Sequence, residues 1–225
     1  MKRGVTVVIG DTHFPFHHKP TLKKILGHIK KHHEKISHVI QVGDLYDLYC
    51  FNRYGRREIM TAYDELENAR REAEKMWSSI RTIDPKIKCI QLLGNHDERL
   101  SKWITAKAPE LEPLIDKLSL WQFDGVKTMP DQRTELELSG VIYIHGDKRA
   151  GAHMLDFMKP CVHGHDHKLY VMTRRFGDNV IWEASAGMVA DPDCEALSYG
   201  MRKKYHNMHL GFLEIENGCP KIIHC

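Results

Sequence analysis

The chain has 225 residues, with 42% hydrophobic and 28% charged side chains and a formal net charge of +3. That length suits one domain with a core of its own, and the balance excludes a disordered or collagen-like chain. The charge is too small to require a polyanionic partner by itself. Six cysteines lie far apart with no C-x-x-C pair, which excludes a small disulfide scaffold and reads as reduced thiols in a cytoplasmic protein. No stretch has the form of a signal peptide or a membrane span, so no membrane partner is expected.

"VTVVIG" (5–10) reads as a buried strand ending in glycine, and "TLKKILGHIKKHH" as a helix with Leu22, Ile25, Leu26 and Ile29 on one side. "ISHVIQVGD" (36–44) is a second strand. The stretch 61–83 is the strongest helix, with Tyr63, Leu66, Ala69, Ala73, Met76, Trp77 and Ile80 on one face. "IKCIQLLG" (87–94) is a third strand. The order β-α-β-α-β predicts a parallel sheet covered on both sides. A helical stretch from about 98 to 118 is interrupted by Pro109 and Pro113. Then come the strands "TELELSG", "VIYIHGD", "CVHGHDH", "LYVMTRRFG" and "VIWEASAG", around a helix near 151–158, and a closing hairpin turned at Asn217-Gly218. The whole, residues 1–225, is read as a single α/β domain of mixed sheets.

Metal-ligating residue types follow strand after strand. Asp11 and His13 follow the first, Asp44 the second, Asn95, His96 and Asp97 the third; His145 and then His165 and His167 follow later ones. In parallel α/β sheets such strand ends converge. With His96 and Asp97 set aside, two aspartates, one asparagine and four histidines exceed the needs of one four-coordinate ion. Two ions sharing a carboxylate, about 3.5–4 Å apart, fit better. Oxygen and imidazole donors without thiolate suit Mn2+ first, with Fe, Zn or Ni as alternatives. Glycines beside the donors allow close backbone approach.

These residues give the chain its resemblance to the calcineurin-like metallophosphoesterases. The family pattern, D-x-H, G-D-x-x-D, G-N-H-D/E, H and G-H-x-H, is matched by Asp11/His13, Asp44/Asp47, Asn95/His96/Asp97, His145 and His165/His167. The resemblance implies a four-layer α/β/β/α sandwich of two mixed β-sheets flanked by helices. It implies one divalent transition metal ion on Asp11, His13, Asp44 and His167, and a second on Asp44, Asn95, His145 and His165. It further implies in-line attack on phosphorus by water acidified between the ions, with His96 catalytic at the leaving group. Asp47 is then expected to orient His96 and raise its pKa. Asp97 is read either as lying near the ions or as a cap for the helix that follows.

Two departures bear on substrate. Protein Ser/Thr phosphatases of this superfamily read G-D-x-x-D-R-G and G-N-H-E; here Leu48 replaces the arginine and Asp97 the glutamate. Both point toward a phosphodiesterase or nuclease, with a phosphomonoesterase on the same two ions as the alternative. "DTHFPFHH" and "GNHDERL" resemble small bacterial and bacteriophage members. Asp166 stands where threonine is commoner, and the sequence gives no reason for it. After Asp47, "LYCFNRYGRRE" interleaves Tyr49, Phe51 and Tyr54 with Arg53, Arg56 and Arg57. Arginines suit phosphates and aromatics suit bases, so Arg53, Tyr54, Arg56 and Arg57 are candidate contacts to DNA, RNA or a nucleotide; the other reading is a surface loop. The basic run 201–206 and His17, His18, His32, His33 and His38 are read as surface residues. A vestigial, non-enzymatic centre is argued against by the intact donor set. Oligomeric state has no sequence signal here.

Overall fold

The computed structural model describes residues 4–52, 60–114, 119–197 and 208–225. Three β-α units open the chain: β1 (Val5–Ile9), α1 (Lys19–His32), β2 (Ile36–Val42), α2 (Ala62–Ile83), β3 (Lys88–Leu92) and α3 (Arg99–Lys107). They continue into β4 (Val126–Thr128), β5 (Leu136–Leu138), β6 (Val141–Tyr143), α4 (His153–Phe157), β7 (Cys161–His163), β8 (Leu169–Phe176), β9 (Asn179–Ala186), β10 (Gly211–Glu216) and β11 (Cys219–His224).

One sheet runs β11-β10-β1-β2-β3-β4 and the other β5-β6-β7-β9-β8. β1 to β4 are parallel, and β10 and β11 add antiparallel strands at one side. In the second sheet β6, β7 and β9 are parallel and β5 and β8 antiparallel. Strand alternation explains the layering. Val5, Val7 and Ile9 turn to one face and pack with Leu22, Ile25 and Ile29 of α1 and Met76, Trp77 and Ile80 of α2. Val8 turns to the other and packs, with Ile40, Val42 and Leu92, against Val141, Val162 and Ala184 of the second sheet. Met154 of α4 covers that sheet's far side with Ile142, Cys161 and Ile181. The result is the expected α/β/β/α order of layers with two mixed sheets.

Several local expectations are corrected. α3 ends at Lys107, because Pro109 pushes Ala108 out of the helical region (φ −153°, ψ 58°), and a 3-10 turn follows over Pro109–Leu114. β4 has no counterpart in the sequence reading; three residues, none of them buried, are too short to carry an alternating pattern. Tyr63 does not join the packed stripe of α2 and is 73% exposed. Glu65 turns inward instead, and its Oε2 accepts the backbone N–H of Cys50 at 2.8 Å. His17 is buried against the ring of Phe14 rather than exposed. The hairpin turn at Asn217 (φ 52°) and Gly218 (φ 73°) has both residues left-handed, as a two-residue Asn-Gly turn requires. None of the six cysteines forms a disulfide. Among the described residues no helix is long and apolar enough to cross a membrane.

A candidate metal centre at the strand ends

β1, β2 and β3 point the same way, so the turns after them open together, and those after β6 and β7 meet them from the second sheet. The backbone N–H groups of Thr12 and His13 donate to the carbonyl of Asp44 at 3.1 and 2.9 Å, which ties the first two turns to each other. The buried glutamines Gln41 and Gln91 brace the next pair: Gln41 bonds both the N–H and the carbonyl of Gly43, and Gln91 donates to Gln41. These turns bring all seven proposed donors together.

Asp44 is the hub. Its Oδ1 accepts the N–H of His96 at 2.8 Å, which directs Oδ2 toward His145 Nε2 at 3.4 Å and His13 Nε2 at 3.8 Å. On one side lie Asp11, His13 and His167, with His167 Nε2 3.4 Å from Asp11 Oδ2 and 3.1 Å from His13 Nε2. On the other side His145 Nε2 and His165 Nδ1 face Asn95 Oδ1 at 3.0 and 2.8 Å. The ligand atoms of Asp11, His13 and His167 lie within 4.8 Å of one another, and so do those of Asp44, His145 and His165. Two imidazoles have their inward nitrogen chosen for them. His13 Nδ1 is held by Asp47 Oδ2 at 2.9 Å and His145 Nδ1 by the carbonyl of Val42 at 2.9 Å, so each donates a proton outward from Nδ1 and turns Nε2 toward the centre.

A cation fits this arrangement. Asp11 is fully buried, and among the described residues neither of its carboxylate oxygens meets a hydrogen-bond donor. Burial pushes its carboxyl up to about 7, against the pull of His145. Such an unsatisfied carboxylate is expensive to keep. His13 Nε2 and His167 Nε2, 3.1 Å apart, are close enough for one ion to hold both, at the usual metal–imidazole distance of about 2.1 Å. Burial and then His13 hold His167 well below its ordinary pKa, so its lone pair is available. Burial opposes ionisation of Asp44, but the imidazoles of His145 and His96 overcome it and hold the carboxyl well below its ordinary value.

The backbone is bent to serve these side chains. His13, Asp44, His165 and His167 take positive φ of 48°, 51°, 68° and 57°, each at a cost of about 1–3 kcal/mol that the surrounding packing must offset. Gly94 and Gly164 are required by contact: a Cβ would stand 2.2 Å from Asp44 Oδ1 at the first and 2.4 Å from Asp11 Oδ1 at the second.

Asp47 and His96 are adjacent, and Asp47 serves two other side chains as well. The Asp47 carboxylate grips His13 and Arg99, the latter Nη1 to Oδ1 at 3.0 Å. His96 Nδ1 donates to the Asp47 backbone carbonyl at 3.2 Å and is 3.6 Å from Oδ2. Burial lowers the pKa of His96 and outweighs Asp44 and Asp47, which both raise it, so the net shift is downward. For His13, burial is overcome by the Asp47 hydrogen bond and the pKa is raised.

Asp97 supports the turns that carry the donors rather than capping a helix. It caps no helix, since α3 starts at Arg99 without a side-chain cap. It accepts the N–H groups of Leu45, Tyr46 and Gly94 at 3.2, 3.0 and 2.8 Å and the indole N–H of Trp121 at 3.2 Å. It therefore clamps the turn carrying Asp44 to the turn carrying Asn95. Burial, then Asp44, pushes its carboxyl up to about 6. Asp166 gains a role too: its Oδ1 accepts from Lys168 N at 3.1 Å and from the Ser185 hydroxyl at 2.5 Å, pinning the turn that carries His165 and His167 onto β9.

A second buried group, His153, His163 and Glu183, also brings ligand atoms within 4.8 Å. Its donors are spent elsewhere. His153 Nε2 accepts the N–H groups of Asp147 and Lys148, which puts its proton on Nδ1, facing Glu183 Oε2 at 3.9 Å. Glu183 accepts from Gly151, Met154 and Tyr170. This network braces the start of α4 and the carbonyl of Gly164, to which His163 donates.

Tyr49, expected in a base-contacting loop, is buried, while Phe51 is half-buried and Trp103 of α3, 43% exposed, lies over it with ring centroids 5.8 Å apart. Arg53, Tyr54, Arg56, Arg57 and the run 201–206 lie outside the described residues. Arg99 and Trp103 were absent from the sequence reading. The available signal was spacing: both stand one helical turn apart at the start of the helix that "GNHD" leads into.

The family model described as calcineurin-like phosphoesterase matches residues 5–186. No curated protein matches the chain.

Proposed function

Because the chain belongs to the calcineurin-like phosphoesterase family, we propose that it hydrolyses phosphoric esters at two divalent metal ions joined through Asp44, and that its substrates are phosphodiesters of nucleic acids or nucleotides. The observation that carries the metal requirement is Asp11, a fully buried carboxylate with no hydrogen-bond donor among the described residues. Asp11, His13, Asp44 and His167 are assigned to one ion, and Asp44, Asn95, His145 and His165 to the other. Mn2+ is the first choice, and Fe, Zn or Ni are the alternatives. Bound there, the ions supply positive charge to a phosphoryl group and lower the pKa of water.

The chain's own residues do the rest. Asp47 fixes the tautomer of His13 and holds Arg99. Its backbone carbonyl holds His96 Nδ1, so Nε2 is the nitrogen that faces the centre, 3.9 Å from Asp44 Oδ2. A proton carried at Nε2 passes to the departing oxygen. Clamping by Asp97 keeps these turns in register while that happens.

Two observations support the diester and nucleotide reading. Leu48 is fully buried, so that position offers no cation for a terminal phosphate. Trp103, one helical turn after Arg99 on α3, is 43% exposed, and stacking of a base on such a ring contributes about 1–3 kcal/mol. The test is an assay of the metal-loaded protein on bis- and mono-nitrophenyl phosphate, single-stranded DNA, RNA and cyclic nucleotides. Diester hydrolysis that is lost with EDTA is expected. Hydrolysis of the monoester alone would transfer the assignment to a phosphomonoesterase, and inactivity on all of them with Mn2+, Fe, Zn and Ni would refute the proposal.

A further inference from the structure

We propose that Arg99 is a substrate-binding residue of this centre: its guanidinium takes the non-bridging oxygens of the phosphoryl group, giving up its contact with His96 Nε2 for them. The inference rests on the reading of the centre as a phosphoester site.

Arg99 is the first residue of α3. Its Nη1 donates to the carbonyl and to Oδ1 of Asp47, both at 3.0 Å, and its Nη2 lies 2.9 Å from His96 Nε2. Arginine stays protonated at any ordinary pH, so Nη2 is the donor and His96 Nε2 the acceptor. That contact is to a ring nitrogen, an acceptor that a stronger one can displace.

A phosphoryl oxygen does so. Arg99 makes these three contacts among the described residues, against five N–H donors in its fork. Its side chain is 15% exposed, while the Asp47 carboxylate that anchors it is fully buried. One edge of the guanidinium is thus fixed on Asp47, and the other rests on a neutral nitrogen next to the metal donors. An anionic oxygen is the stronger partner, because charge-assisted bonds to phosphate are about twice as strong as neutral ones and fit the fork in pairs. The corner after Asp47 otherwise carries Leu48, whose side chain is buried in the core away from the centre.

The proposal is tested by calorimetric titration of inorganic phosphate into metal-loaded wild type, Arg99→Lys and Arg99→Gln, with metal content and kinetics measured on the same samples. We expect Arg99→Gln to keep its metal, to bind phosphate roughly 10- to 100-fold more weakly, to show a raised KM, and to regain part of both with added guanidinium ion. Arg99→Lys should fall between. The loss should be larger for a doubly charged monoester than for a singly charged diester. Wild-type phosphate affinity in Arg99→Gln overturns the proposal, as does a variant that loses metal and is not rescued by guanidinium, which marks a structural residue. Absence of phosphate binding by the metal-loaded wild type also overturns it. Phosphate binding through Arg99 without hydrolysis of any ester would uphold this inference while refuting the enzymatic one.

Discussion

Asp47 holds one imidazole with its side chain and another with its backbone, and the difference decides what each does. The carboxylate on His13 Nδ1, 2.9 Å away, keeps that ring's other nitrogen turned inward as a donor to metal. The carbonyl on His96 Nδ1, at 3.2 Å, orients that ring with the carboxylates of Asp44 and Asp47 standing further off at 3.9 and 3.6 Å, and burial outweighs them and lowers its pKa. The proposed role of His96 at the leaving group predicts a selective loss. His96→Ala should retain its metal and lose about 10²–10⁴ in rate on alkyl esters, the usual range for general acid catalysis. On nitrophenyl esters, whose leaving group needs no proton, the loss should be much smaller. Parallel assays on both ester types check this; an equal loss on both would remove the acid role, and loss of metal would make His96 structural.

The elements crowd like charges together. Parallel β1, β2 and β3 deliver Asp11, Asp44 and Asp97 to one place, with Asp47 a turn further on. Asp11, at about 7 in the folded chain against an ordinary 3.8, gives stability that is complete below pH 3.8 and lost as pH rises through 7. His145, at about 10 against 6.5, gives stability that is complete below pH 6.5 and lost as pH rises through 10. Both losses have the same sign above pH 6.5. Metal-free protein should therefore melt at falling temperature from pH 6.5 to 9 in chelator, and saturating Mn2+ should remove most of that fall, since the ion takes the place of the protons. Calorimetric melting across that range checks it, and a metal-free melting temperature that climbs with pH would be incompatible with the arrangement. Elements of this kind were readable in advance where pattern is long: α1, α2 and β1 to β3 each carry enough apolar period to be placed from sequence. β4, with three residues and no buried side chain, carries none. Tyr63 was misplaced because helical spacing does not say where a sheet ends beneath the helix.

At the scale of the whole molecule, two sheets packed face to face turn scattered short motifs into one centre. The donors were legible because each sits directly after a strand, and strand ends of a parallel sheet must meet. What the sequence could not disclose is how they are supported. Asp97 clamping two turns through four N–H groups, Asp166 pinning a third onto β9, and Arg99 reaching back from α3 to Asp47 are all contacts whose partners are set by three-dimensional proximity. Short motifs name the residues that face the ions; the residues that hold those in place answer to geometry that only the fold provides. Asp44 is where the account is most exposed, because it stands in both donor groups and its Oδ1 is already committed to His96 N at 2.8 Å. The direct test is calorimetric titration of Mn2+ into chelator-stripped protein, with hydrolysis of bis-nitrophenyl phosphate followed in the same samples, for wild type and for Asp44→Ala. The account predicts two ions bound per wild-type chain, with hydrolysis appearing only as the second site fills, and loss of both ion pairing and hydrolysis in Asp44→Ala. A single ion at saturation in the wild type, or an Asp44→Ala protein that hydrolyses the diester at the wild-type rate, would contradict it.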